Sequence, residues 1–447
     1  MRRTEDPTSL RMKRRVRGWT TAAILLLLAA CATVSVGQRE LVMDNELDER
    51  SGGPSPTGRW REAREGGGGA DLTPRQRQEA ERLRSIGYLS GSKPAPSRTG
   101  ITVHDRGAAQ PGLNLYNSGH RAGATLMTMD GEKLHEWECP FLRAFPDSLK
   151  AADTESAEYW RFVHLFENGD ILAIFEGLGL IKLDKDSNLL WAHPGEEHHA
   201  LHVAADGRIY TLTRKAHMIP RLNRASPVLE DYITVLDPDG NVLRSFSLLE
   251  AFENSRFENA FKVFGMRRTG DLFHTNAIEL LDGSQADRIP AFRKGNVLVS
   301  LRQLNLIAVI DMEYEEAVWI SSGMWLAQHD PRFLPNGNIL LFDNKGYGGK
   351  SKVLEFDPVT YDVAWSYWGT ERNPFFSKMC GAAQRLPNGN TLITESDYGR
   401  AFEVTPGGEI VWEFLNPERA GARNQLIATL FEVTRVDPGD LGDWVGR

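Results

Sequence analysis

Apolar and polar positions along this chain fall into short runs punctuated by near-identical turns. The turn LPNGN at 334–338 recurs at 386–390, with weaker forms as ENGD from Glu167, ADGR from Ala205 and KGNV from Lys294. Each is followed by a β-rich run (ILAIFE, IYTLT, VLVSL, ILLFD, TLITES) and an acidic or glycine turn. A strand ending in tryptophan then follows in most units, as in LLWAHPG, AVWISS, VAWSYWG and IVWEFLNP. Short apolar runs bounded by Gly, Asn and Asp read as antiparallel strands, and their repetition predicts propeller blades. Units begin near Trp160, His198, His274, Gln328 and Cys380, and GLNLYNSGHRAGATLMTMDGEKLHEW supplies three strands of a sixth. The segment IATLFEVTRVD is predicted to be the missing innermost strand of that unit, closing the ring so that no sheet edge stays exposed. The predicted fold is therefore all-β, a six-bladed β-propeller of four-stranded blades over 101–447. The third blade carries an insert of helical periodicity, SLLEAFENSRFENAFKVFGM, and the fourth a shorter one, SQADRIPAFRK. Trp137, Trp191, Trp319, Trp365 and Trp412 read as blade-packing residues.

The N-terminal hundred residues follow a different pattern. MKRRVRGW from Met12 is a cationic stretch before the apolar TTAAILLLLAAC, which ends in Leu28-Ala29-Ala30-Cys31. This has the form of an export signal of the bacterial lipoprotein type, with Cys31 lipidated, so residues 1–31 are expected to direct export and membrane anchoring. A start at Met12 suits the pattern better than one at Met1. Residues 32–100, with SGGPSPTG and EGGGGA, carry too little apolar surface to fold alone and are expected to form a flexible tether. One short helix over 74–88 interrupts it, with Thr73 as N-cap and Pro74 in the first turn.

Composition narrows the partners. An apolar fraction of 41% with 11 Trp and 42 Gly suits short strands and tight turns. Residues 1–100 carry 18 Lys and Arg against 12 Asp and Glu, leaving 34 against 48 for the rest, and an acidic propeller argues against a nucleic-acid partner. With Cys31 assigned to lipid, Cys139 and Cys380 remain, either as a disulfide between neighbouring blades of an exported protein or as two buried thiols.

Three histidines head strand-like segments. His199 and His329 each lie eight residues before a turn glycine, Gly207 and Gly337, and His274 lies nine before Gly283. Equivalent positions in a propeller line one central channel, so the three imidazoles are predicted to converge. Arg302 is the one cation in the apolar run GNVLVSLRQLNLIAVID, and a buried arginine calls for an anion with which its fork can pair. His274 and Asn276 share a strand face, about 6–7 Å apart. Together His199, His274, Asn276, Arg302 and His329 make a cationic, hydrogen-bonding floor suited to a tetrahedral oxyanion. His198 and His202 invite a metal reading, but four strand residues span roughly 13 Å, too far for two ligands of one ion. No metal and no cofactor are expected.

At HTN, VSLRQLNLIAVID and QHDPRFLPNGNILLFDN the chain resembles the bacterial arylsulfate sulfotransferases, six-bladed propeller enzymes of the periplasm. The resemblance covers Gly112 to Asp437. It implies His329 as the nucleophile that carries the sulfuryl group, with His274, Asn276 and Arg302 matching the family's HxN and arginine, and His199 its remaining channel histidine. It implies ping-pong transfer from a phenolic sulfate to a phenolic acceptor, without an adenosine-phosphosulfate donor. The characterised enzymes carry a folded N-terminal domain where this chain has its tether, so their dimerisation does not transfer. Two rivals share the turn and tryptophan pattern: a quinoprotein dehydrogenase, for which no Ca²⁺-binding acidic cluster is evident, and a non-catalytic exported scaffold. A scaffold has no need of three channel histidines and Arg302.

Overall fold

The computed structural model describes residues 72–85 and 87–445; the expected export signal, Cys31 and the expected tether up to residue 71 lie outside them. The described residues are overwhelmingly β. Among the described residues six sheets, each built on four antiparallel strands, succeed one another along the chain, two of them with a fifth strand added, one of which, Gly270–Asp271, pairs parallel; a separate three-stranded sheet makes the seventh. In the simplest case the order within a sheet is the order in sequence, as in Phe162–Leu165, Ile171–Phe175, Gly179–Leu183 and Leu189–His193. Ile171–Phe175 and Ile339–Asp343 are buried along their whole length, which is why their sequences are continuous apolar runs instead of alternating ones.

The repeated turns are alike in detail. In LPNGN the Leu334 amide donates to the Asn338 carbonyl at 2.8 Å, the Gly337 amide donates to the Leu334 carbonyl at 2.8 Å, and Asn336 Oδ1 accepts from the Asn338 amide at 3.0 Å. The copy at 386–390 repeats all three bonds within 0.1 Å. Gly337 and Gly389 take φ of 85° and 88°, values that only glycine adopts without strain, and this is the reason for the invariant glycine of the repeat.

The tryptophans do more than fill their own sheets. Trp137 Nε1 donates to the Gly169 carbonyl of the following sheet at 3.0 Å, Trp191 to Pro238 at 3.1 Å, and Trp365 to Pro406 at 3.0 Å. Trp412, on the last sheet, donates to the Met129 carbonyl of the first at 2.9 Å. Each is a clasp between consecutive sheets. The C-terminal strand Leu430–Val436 pairs antiparallel with Leu113–Ser118, as its apolar pattern predicts. The helical insert forms Leu248–Glu253 and Ala260–Val263, and the shorter one a single 3₁₀ turn, Pro290–Phe292. Cys139 and Cys380 are free and buried in separate clusters, Cys139 with Trp137 and Cys380 with Tyr88, so no disulfide joins them.

Residues 72–100 correct the expectation of a tether reaching residue 100. The helix is Pro74–Arg84, with a complete capping box between Thr73 and Gln76, and it docks through Ala80 and Leu83 onto Ala216 and Leu229. It stops four residues short of the expected end at 88. Gly91–Pro94 then pairs with Leu426–Ala428, and Gly100–His104 adds a fifth strand to the last sheet beside Ile410–Leu415. Low intrinsic apolarity did not prevent order, because these segments borrow unpaired edges from the larger domain.

Candidate active site

The innermost strands of three sheets share one irregularity. Register shifts occur between His198 and Leu201, between Thr275 and Ile278, and between His329 and Arg332. Within these bulges His199 and Asp330, next to His329, take φ of 61° and 48°, and His274, just before the bulged segment of its own strand begins at Thr275, takes 51°. Left-handed backbone at non-glycine residues is costly, on the order of 1–3 kcal/mol each, and a bulge turns a side chain away from the regular alternation. Here it carries the three histidine segments out of register at corresponding places.

His199 and His274 meet directly, Nε2 to Nε2 at 3.2 Å. His274 Nδ1 lies 2.6 Å from Asp271 Oδ2, and the same carboxylate accepts the His274 amide at 2.9 Å. That carboxylate, held below its ordinary range by His274 despite burial, fixes a proton on Nδ1 and leaves the Nε2 lone pair toward His199. His199 Nδ1 pairs with His198 Nδ1 at 2.7 Å and lies 3.4 Å from Glu176 Oε1, which also meets Arg214 at 3.3 Å. Glu176, His198 and His199 bring three donor groups within 4.8 Å. They are knitted by hydrogen bonds and an arginine, and the 2.7 Å contact between the two imidazoles is that of a shared proton. His202 lies elsewhere, near His164 and Arg332, and burial pushes it down to about 4.

His329 is buried, and its environment distinguishes its two nitrogens. Nδ1 lies 2.6 Å from Asn344 Oδ1, while Asn344 Nδ2 donates to the Ser377 and Cys380 carbonyls at 2.9 and 3.0 Å. Two carbonyl acceptors orient the amide, so its oxygen faces the imidazole and accepts from Nδ1–H. His329 Nε2 therefore carries the lone pair, and it has no hydrogen-bond partner. Burial, with Arg302 and Arg161 as the nearest charges, holds this imidazole well below its ordinary value, so it is neutral at physiological pH.

The residues singled out in the sequence separate into three groups. His199, Asn276 and His329 line one small cavity together with Arg161, Arg332 and Glu432. His274 stands behind His199. Arg302 lies in a 3₁₀ turn, Arg302–Leu304, directly after its strand, where the sequence had suggested a place within it; the turn is tied back by the Arg302 amide to the His274 carbonyl at 3.3 Å. Its Nε is buried without a partner, and the acids that might have bridged it are taken: Asp311 by Arg293 and Glu315 by Arg244. Asn276 donates from Nδ2 to the Gln328 carbonyl at 2.8 Å, leaving a buried, unpartnered Oδ1.

Three further residues escaped the sequence reading. Arg161, in YWRF, is buried with an unpartnered Nε; it is a lone cation beside an apolar segment, a signal close to the one that had singled out Arg302. Asn344 closes the motif QHDPRFLPNGNILLFDN, but nothing in one sequence says that it reaches back to His329. Tyr88 comes from outside the repeat altogether: its hydroxyl lies 2.7 Å from His199 Nε2 and 3.3 Å from His274 Nε2.

Among solved structures the chain is similar to a Bacteroides caccae protein of unknown function, at 14% identity over 68% of this chain and 94% of that one, with a TM-score of 0.46. It is likewise similar to a streptogramin B lyase, at 14% over 78% and 97% with a TM-score of 0.42, and to the Dos1 propeller, at 13% over 59% and 60% with a TM-score of 0.36. No curated protein sequence matches. The sequence profile of the arylsulfotransferases (ASST) matches residues 163–417, more than half of the chain and the span that holds all five predicted channel residues, so the chain belongs to the arylsulfotransferase family, whose transfer chemistry concerns small aryl molecules.

Proposed function

We propose that this protein moves a sulfuryl group from a phenolic sulfate ester to a phenolic acceptor, without a nucleotide, through a covalent sulfohistidine at His329. The observation that carries this reading is the bare Nε2 of His329, neutral and aimed into a cavity it shares with Arg161, His199 and Asn276. In the first half-reaction the Nε2 lone pair bonds to sulfur as the sulfur–aryl oxygen bond breaks and phenolate leaves. In the second, the acceptor oxygen bonds to sulfur as the nitrogen–sulfur bond breaks, and its proton goes to a base. His274, with Asp271 holding its far nitrogen, is suited to that proton. Arg302, Arg161, His199 and Asn276 supply donors and charge for the sulfuryl oxygens before charge develops on them. The six sheets, four of whose junctions carry a tryptophan clasp and whose first sheet takes in the C-terminal strand Leu430–Val436, act as the blades of one closed propeller around this channel. The protein is exported and held at the periplasmic face or outer membrane by lipid on Cys31.

The test is direct. Purified protein given 4-nitrophenyl sulfate and phenol should release nitrophenol with no nucleotide present, and donor alone should add one sulfuryl group to the peptide holding His329. His329→Ala should abolish both signals. Full activity in that variant rejects the mechanism, and an inactive wild type across many aryl sulfates favours a non-catalytic propeller.

A further inference from the structure

Tyr88 brings a phenol, the side chain of a para-substituted phenol, into a site read above as a phenol sulfotransferase. It is 4% exposed. Its hydroxyl contacts the two nitrogens that a phenolic oxygen at this site would meet, His199 Nε2 and His274 Nε2. Its ring takes the His199 imidazole edge-on at 5.4 Å between centroids and Phe431 at 6.3 Å, while the Arg161 guanidinium lies over it at 4.8 Å. Those are the contacts by which a protein recognises an aromatic ring carrying one polar tip. Burial pushes the Tyr88 hydroxyl upward, so it stays a neutral phenol.

The place is built for it. The Tyr88 amide donates to the Tyr159 hydroxyl at 3.0 Å, and that hydroxyl donates to the Tyr88 carbonyl at 2.7 Å. The Ser90 amide donates to Glu155 Oε1 at 2.6 Å, and the Leu89 and Ser90 carbonyls accept from Thr429. A Cβ on Gly87 would fall 2.3 Å from Ser156 Oγ, so a larger residue there would require that serine side chain to turn away. Arg161, His199 and Phe431, which hold the ring, also line the cavity that contains Asn276 and His329, and that cavity measures only about 20 Å³. That is room for one water, whereas cavities that accept a benzene ring are on the order of 150 Å³. No aryl ring fits next to His199 while Tyr88 is present.

We propose that the seat of the Tyr88 ring is the aryl subsite of this protein, and that Tyr88 is its internal occupant, a tethered phenol with which external phenols and aryl sulfates compete. The inference deepens the sulfotransferase reading and rests on it for the identity of the competing ligand. Its binding test does not need turnover. Tyr88→Ala should open the seat, and 4-methylphenol, the excised side chain, should refill it: thermal shift and calorimetry should detect 4-methylphenol on Tyr88→Ala at least 10-fold more tightly than on wild type or on Tyr88→Phe. In steady state Tyr88→Ala should lower KM for phenol at least 10-fold, while Tyr88→Phe, which keeps the ring in place, should not. If 4-methylphenol binds Tyr88→Ala no better than wild type, the seat is not an aryl subsite and the inference fails, whatever the activity. If KM stays unchanged in Tyr88→Ala while kcat collapses in both variants, Tyr88 acts as a catalytic hydroxyl and the competing role is overturned. If 4-methylphenol binds as expected while wild type transfers nothing from any aryl sulfate, the subsite stands and the sulfotransferase reading falls alone. Should Tyr88→Ala not fold, Tyr88→Leu with the same two measurements takes its place.

Discussion

Asn344 offers the sharpest probe of the chemistry, because it touches the nucleophile and not the cavity. Asn344→Leu removes the acceptor of the His329 Nδ1–H bond at 2.6 Å and the donors to the Ser377 and Cys380 carbonyls. The His329 Nδ1–H and the Cys380 carbonyl lose their partner at about 1–3 kcal/mol each, while the Ser377 carbonyl keeps Ser351 Oγ at 3.1 Å, so the variant should lose at least about 2 kcal/mol of stability. For a large domain that corresponds to a fall in Tm of roughly 4–8 °C. The catalytic effect is separate. The bond that biases the proton to Nδ1 is worth about 1–1.5 kcal/mol, and losing it shifts the tautomer ratio away from a free Nε2 lone pair by roughly tenfold. Single-turnover release of nitrophenol from 4-nitrophenyl sulfate should slow by about two- to tenfold at a temperature well below the new Tm. Asn344→Asp separates the two roles. A carboxylate still accepts from Nδ1–H, but its charge favours the imidazolium. The reactive form is the neutral one, so the burst rate, flat from pH 6 to 8 in wild type because the pKa of His329 is well depressed, should now fall as pH drops through the raised value. A wild-type burst rate and pH profile in a folded Asn344→Leu protein would show that the tautomer of His329 is irrelevant, and with it the argument for Nε2.

Three other outcomes are expected. Asp271→Asn should leave the first nitrophenol burst intact while slowing steady turnover with phenol by about 10²-fold or more, because only the acceptor step needs the base it orients; equal loss in both phases would reassign it. Burial pushes Glu197 up to about 8, so its proton is retained in the folded state while the unfolded chain ionises above about 4.5. Wild type therefore loses stability as pH rises from 4.5 to 8, and Glu197→Gln, which cannot ionise, should be more stable by several kcal/mol at pH 8 and equal at pH 4, in denaturant melts at the two values. Cys31→Ser should release the protein from membranes or leave an unprocessed precursor, and unchanged fractionation and size on a gel would sink the lipoprotein reading.

Much of the architecture is written locally and can be read from the chain alone. A turn such as LPNGN specifies itself: its glycine, asparagine and closing carbonyl act within five residues, and the runs after it are apolar because both faces are covered. Repetition of that unit carried the strand pairing, the partnership of Leu430–Val436 with Leu113–Ser118, and the convergence of His199 with His274 near His329. Tertiary structure decided the remainder. The bulges at His199 and His274 depend on what the neighbouring strand allows, and no residue type announces them. The clasp role of the tryptophans needs the carbonyl of the next sheet. Gly91–Pro94 and Gly100–His104 look unstructured alone and become strands only because another segment offers an edge. Tyr88 and Asn344 act on histidines 111 and 15 residues away, across contacts that sequence spacing does not encode. Local propensity and periodicity determine which elements form; the proton positions and the occupant of the channel are set by groups that meet only once those elements have packed.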